Sequence, residues 1–163
     1  MFILVIAGSL FLAYRNLLFV ENYIIKKDIG GLKNTTSVLD IDGGCRTDKK
    51  PCFWYSAQYR LSLSDTGSFA VNVYVEQQFL PIRENSFLSE IKDKYFVVNP
   101  QKINQDGNYI YQGEDKYGLS VTSWISGSKL IILRSYVNIH SQYQDDSDRI
   151  VSEYFNKYPS SIK

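Results

Sequence analysis

The chain has 163 residues, 44% of them apolar and 21% charged, and Lys and Arg exceed Asp and Glu by a net charge of +1. This excludes a disordered tail, a multi-span membrane protein, and a general nucleic-acid binder, which needs a basic excess against phosphates. One His and two Cys leave little for a zinc site and nothing for an iron–sulfur cluster, so no metal or cofactor is expected.

Residues 1–14 carry no charge. At ~1.5 Å per residue that run is about 21 Å long as a helix, and extending it past Arg15 to Val20 gives about 30 Å, the thickness of the bilayer core. A single membrane span through residues 1–20 is the reading that fits best. The expected organisation is an anchor or signal segment over 1–28 and a domain over 29–163, with Gly30-Gly31 ending the helix. A cleaved signal peptide is the alternative, but no Lys or Arg precedes the apolar run and no small-residue cleavage site follows it. A buried soluble helix would leave the uncharged stretch without a polar face.

Orientation rests on two opposed signals. Arg15, Lys26 and Lys27 follow the span and favour a cytoplasmic domain. Cys45 and Cys52 bracket a short polar loop that a disulfide would close, contributing ~2–3 kcal/mol in the chain-entropy model. The cysteine pair is given more weight, so the domain is expected to be extracytoplasmic, periplasmic in a bacterial setting.

Between the span and the cysteines, Val38-Leu39-Asp40-Ile41-Asp42-Gly43-Gly44 resembles the first motif of haloacid-dehalogenase-type phosphatases. The resemblance implies Asp40 as nucleophile and Asp42 as acid/base. It covers seven residues, Gly44 replaces the family's Thr, and that family needs a parallel sheet. A strand ending in a glycine turn explains the same residues.

From Phe53 the pattern alternates with period two: Tyr55, Ala57, Tyr59, Leu61 and Leu63 on one face, polar residues on the other. Phe69, Val71, Val73 and Val75 repeat it. A three-residue loop at Asp65-Thr66-Gly67 pairs Leu63 with Phe69 and Leu61 with Val71. Phe87, Leu88, Ile91 and Tyr95 then recur at helical spacing, with Asn85 or Ser86 as the expected cap. After a loop around Asn99-Pro100 come a short strand through Tyr109–Tyr111 and a second hairpin, Tyr117–Ile125 and Leu130–Ile139, turning at Ser126–Lys129. A last helix spans about 146–158, with acidic residues at its start and Pro159 at its end.

The halves match in order, hairpin then helix, and Tyr59–Leu63 aligns with Tyr117–Val121 at an offset of 58. The expected fold class is therefore α+β. An amino-terminal apolar helix precedes a two-layer sandwich, an antiparallel sheet with two helices on one face from a duplicated hairpin–helix pattern.

No constellation points to catalysis. Asp145, Asp146 and Asp148 lack calcium-loop spacing and suit a helix start; His140 has no positioned nucleophile; Asn34-Thr35-Thr36 is a glycosylation acceptor in a eukaryotic secretory setting. Trp54, Tyr74 and Trp124 fall on the strand face otherwise occupied by Ser, Gln, Asn and Thr. Large rigid aromatics among polar groups favour protein interfaces, and these three are the expected partner-binding residues.

The expectation is a non-enzymatic, membrane-anchored or exported protein-binding domain. Its concrete form is an immunity protein, an inhibitor that neutralises a toxin in the bacterial envelope. The alternative is an accessory or structural subunit of an envelope complex, for which a pilin-like form lacks the acidic residue near the start, where Val5 stands. The partner is another protein, with the membrane engaged through residues 1–20 and no nucleic acid.

Overall fold

The computed structural model describes residues 23–36, 52–61, 70–95, 97–135 and 144–163. The apolar run 1–20, the Val38–Gly44 motif, Cys45 with the Cys52 side chain, the Asp65-Thr66-Gly67 turn and His140 lie outside them. Among the described residues no helix is long and apolar enough to cross a membrane.

The described elements are β1 (Lys33–Asn34), β2 (Cys52–Arg60), β3 (Ala70–Gln78), α1 (Glu84–Tyr95), β4 (Val98–Gln105), β5 (Asn108–Glu114), β6 (Ser120–Ser126), β7 (Lys129–Ser135) and α2 (Gln144–Lys157). The strands form one seven-stranded sheet in the order β1-β2-β3-β7-β6-β5-β4, with every neighbouring pair antiparallel.

Alternation places Tyr55, Ala57 and Tyr59 beside Val75, Val73 and Val71, as the sequence pattern requires. The register is two residues from the expected one, because Val71 pairs with Tyr59 and not with Leu61. A two-residue shift preserves which face each side chain takes, so hydrophobic patterning does not distinguish the two registers. Helix α1 begins at Glu84, so Asn85 and Ser86, expected to cap it, lie inside its first turn, and Phe87 N donates to Arg83 O. The sequence pattern also missed β4, where Asn99 at positive φ, Pro100 and a register irregularity between Val98 and Gln101 disguise an edge strand. Its hairpin partner β5 follows across Asp106-Gly107, both at positive φ, as a tight two-residue turn requires.

The helices do not share a face. Helix α2 lies on the face of Tyr55, Tyr59 and Trp124: the Tyr154 ring meets Tyr59 edge-on and Phe155 packs 5.8 Å from Trp124. Helix α1 lies on the opposite face, with Phe87 5.5 Å from Tyr111 and Tyr95 6.2 Å from Tyr74. The sheet therefore sits between one helix on each side, a correction to the expected two-layer arrangement. The physical reason is visible in β6 and β7, where Val121–Ile125 and Leu130–Leu133 are buried without interruption. Strands buried on both faces read as continuous apolar runs, and Leu130-Ile131-Ile132-Leu133 is such a run.

The repeat survives as an order of elements and not as a residue repeat. Tyr59 lies in β2, whereas Tyr117 sits in the turn before β6. The hairpins β2-β3 and β6-β7 are each followed by a helix, but the two helices lie on opposite faces of the sheet.

Two flanking segments complete the α2 face. Tyr23 stacks on Tyr55 at 4.0 Å, and Ile24 is buried, so the folded unit already includes residues ahead of position 29. Beyond α2, Ser160–Ile162 enters a split in the sheet. Pairing of β5 and β6 covers Tyr111–Glu114 and Ser120–Ser123; next to it Ser161 N donates to Ile125 O (2.8 Å) and Tyr109 N donates to Ile162 O (3.0 Å). The segment satisfies backbone groups that the diverging strands leave unpaired.

Candidate functional site

On the α1 face, β2 presents Trp54, Ser56, Gln58 and Arg60 in alternation, and β3 places Glu76, Tyr74, Asn72 and Ala70 opposite them. The indole of Trp54 stacks on the Tyr74 ring, with centroids 5.2 Å apart and planes within 9°. These are diagonal neighbours across the two strands, within reach for aromatic side chains. A chain of side-chain hydrogen bonds continues from them: Asn72 Nδ2 donates to Tyr74 OH (3.2 Å), Gln58 Nε2 to Asn72 Oδ1 (2.9 Å), and Arg60 Nε to Gln58 Oε1 (2.8 Å).

On this face helix α1 reaches the strip at Tyr95, whose ring lies 6.2 Å from Tyr74 and whose hydroxyl is hydrogen-bonded with Trp54. Trp54, Ser56, Gln58, Asn72 and Tyr74 are half-buried, and Arg60 is exposed. The strip combines aromatic faces with amide and guanidinium groups already fixed by one another. Groups held in this way lose little freedom on docking.

The strip is walled by a buried ionic cluster under the last turn of α1. Glu76 is fully buried and accepts hydrogen bonds from Lys94 Nζ and Tyr95 OH. Glu90 lies one turn earlier, 3.7 Å from Lys94 Nζ, and accepts from Gln78 Nε2 at 3.3 Å. Burial, and after it the neighbouring Glu76 charge, push the Glu90 carboxyl up to about 7. Burial and the same carboxylate hold the Tyr95 phenol well above its ordinary range. Glu90 is thus a group that can exchange a proton near neutral pH beside an aromatic contact surface.

This has a measurable consequence. The folded chain holds the Glu90 proton more tightly than the unfolded chain, so its contribution to stability is complete below about 4.5 and is lost as pH rises through about 7. Glu90→Gln keeps an acceptor for Gln78 and gains a donor toward Glu76. The variant is expected to be more stable than the parent at pH 8, with a flatter melting temperature between pH 5 and 8.

Trp124, the third expected contact residue, belongs elsewhere. It is fully buried on the α2 face and donates from Nε1 to Tyr158 O at 2.7 Å. The structure brings Trp54 and Tyr74 together and separates Trp124 from them by the thickness of the sheet. In β6 the polar Ser120 and Thr122 share the core face with Trp124, so polarity misidentified that face.

Other polar clusters serve the scaffold. Asp115 is buried, accepts from Tyr117 N and Leu119 N, and pairs with Arg134, which closes the β5–β6 turn. Asp145 and Asp148 line an open groove of about 430 Å³ beside Ile29, Arg149 and Glu153. Among the described residues no group of three or more His, Cys, Asp or Glu is placed to hold a metal ion.

Sequence reasoning read Gln58, Arg60 and Asn72 only as an outward polar face, and did not find the ladder. Glu76 carried a usable signal: a carboxylate on a strand face leading into an apolar helix must find a partner. No protein-family model, curated protein or solved structure matches this chain.

Proposed function

We propose that this protein is a non-enzymatic, membrane-tethered binding domain that grips another protein with the Trp54–Tyr74–Asn72–Gln58–Arg60 strip. The observation that supports it most is the pre-formed ladder itself, stacked aromatics joined to a hydrogen-bonded polar row that is half-buried and ends at exposed Arg60. Protein interfaces concentrate their energy in Trp, Tyr and Arg, and this strip offers one of each.

The tether is the apolar run 1–20, and the domain lies on the extracytoplasmic side, with Cys45 and Cys52 joined. The partner we favour is a toxin in the bacterial envelope, which makes the protein an inhibitor of the immunity type. Such an inhibitor needs a rigid contact surface and a position at the membrane.

The test measures affinity for the partner recovered with the detergent-solubilised protein. Trp54→Ala is expected to weaken binding by about 2 kcal/mol, roughly 30-fold, the size typical of an interface hot spot. Arg60→Glu is exposed and should weaken binding without loosening the stack. Both variants should keep the parent's circular dichroism. Affinity unchanged in both would overturn the assignment.

A further inference from the structure

We propose that the end of the sheet bearing Phe79 and Leu80 rests against a lipid bilayer, with this loop entering the headgroup layer. The inference rests on the membrane reading of residues 1–20 and names the surface that would face the lipid.

Phe79 is 63% exposed and Leu80 75% exposed, although each is a large apolar side chain. The loop is fastened on both sides: Gln78 N donates to Ser128 O (2.9 Å) and Ile82 N donates to Gly127 O (3.1 Å). Its backbone is therefore held against the β6–β7 turn while the two tips project. Phe53, with its ring 6.0 Å from Phe79, extends the apolar surface toward the start of β2.

The path of the chain selects lipid as the occupant. Tyr23 stacks on Tyr55, and two residues later Ile25 O accepts the Tyr59 hydroxyl. The segment thus runs along β2 away from the Cys52–Gln78 end. Tyr23, the first described residue, therefore lies nearer than Ile25 to the end where Phe79 and Leu80 project. Basic groups border the same end: Lys129 pairs with Gln77, one rung from Gln78, and exposed Arg83 follows the loop. Cations flanking exposed apolar tips suit the headgroup boundary, where long basic side chains reach phosphates while apolar groups enter the acyl region.

The experiment places an indole at the loop tip of the full chain. Leu80→Trp, in a Trp54→Phe background, is reconstituted with vesicles of phosphatidylcholine and phosphatidylglycerol carrying bromine at shallow acyl positions. The Leu80→Trp indole is expected to lose most of its emission. Tyr117→Trp, in the turn at the opposite end of the sheet, should lose none. Phe79→Trp gives the same reading should Leu80→Trp fold poorly.

Alkaline carbonate extraction of the same vesicles reports separately on the tether. Quenching in a chain that carbonate releases would support the lipid contact and refute the span. Equal emission from the two ends, whether or not carbonate releases the chain, would overturn the proposal. That result would assign the loop to a protein partner, a second copy or another segment of the chain.

Discussion

Lys94→Met is expected to destabilise the fold by about 3–5 kcal/mol, the cost of leaving a buried charge without its partner. Glu76 is fully exchanged from water into the interface between β3 and α1, where Lys94 Nζ and Tyr95 OH are its donors. Methionine fills the lysine stem's volume and removes the ammonium, so the loss is electrostatic and not a cavity. Glu90, 3.7 Å from Lys94, loses the same cation and faces Glu76 without a counter-charge. The deficit should be larger at pH 8 than at pH 5, because acid protonates Glu90. Adding Glu76→Gln should restore most of the stability, since a neutral amide can still accept from Tyr95. Urea denaturation of the two variants at both pH values measures this. A Lys94→Met midpoint equal to the parent's would mean the ion pair is not buried.

The two tryptophans should behave oppositely. Trp124→Ala is expected to cost about 3–5 kcal/mol, as for other buried aromatic truncations, because the indole fills the space under α2 and donates to Tyr158 O. The Tyr158 carbonyl would also lose a buried hydrogen bond, and its hydroxyl holds Tyr23 O at 3.0 Å. Trp54→Ala removes the stack on Tyr74 and a hydrogen bond with Tyr95 at a half-buried site and should cost about 1–2 kcal/mol. Thermal melts and near-ultraviolet dichroism separate these outcomes. Similar costs at both positions would contradict the placement of the two residues on opposite faces.

Much of the fold was legible where one physical signal dominated. Period-two alternation in Phe53–Arg60 and Val71–Val75 located the first hairpin, because one of its faces is apolar and the other polar. The two helices were legible from their spacing, from the polar residues Asn85 and Ser86 near the start of the first, and from acidic residues at the start of the second. What failed were decisions that alternation does not make. Both faces of β6 and β7 are buried, so polarity there carries no information about sidedness. The side taken by α1 goes with the crossover from β3 to the far edge strand β4, and that of α2 with the path of the chain after β7; no local pattern records either. At the candidate site, alternation in β2 and β3 made it legible that Trp54 and Tyr74 share one face of the sheet. The contact of Glu76 with Lys94 and Tyr95 joins residues 18 and 19 positions apart across a strand and a helix, and becomes visible only in three dimensions.

The claim that the open strip of β2 and β3 holds a protein partner is tested most directly by crosslinking in native membranes. A photoreactive side chain at position 56 lies in the middle of the strip, and one at position 152 lies on the exposed surface of α2. The account predicts one discrete adduct from position 56 and none from position 152. No adduct from position 56, or the same adduct from both, would contradict it.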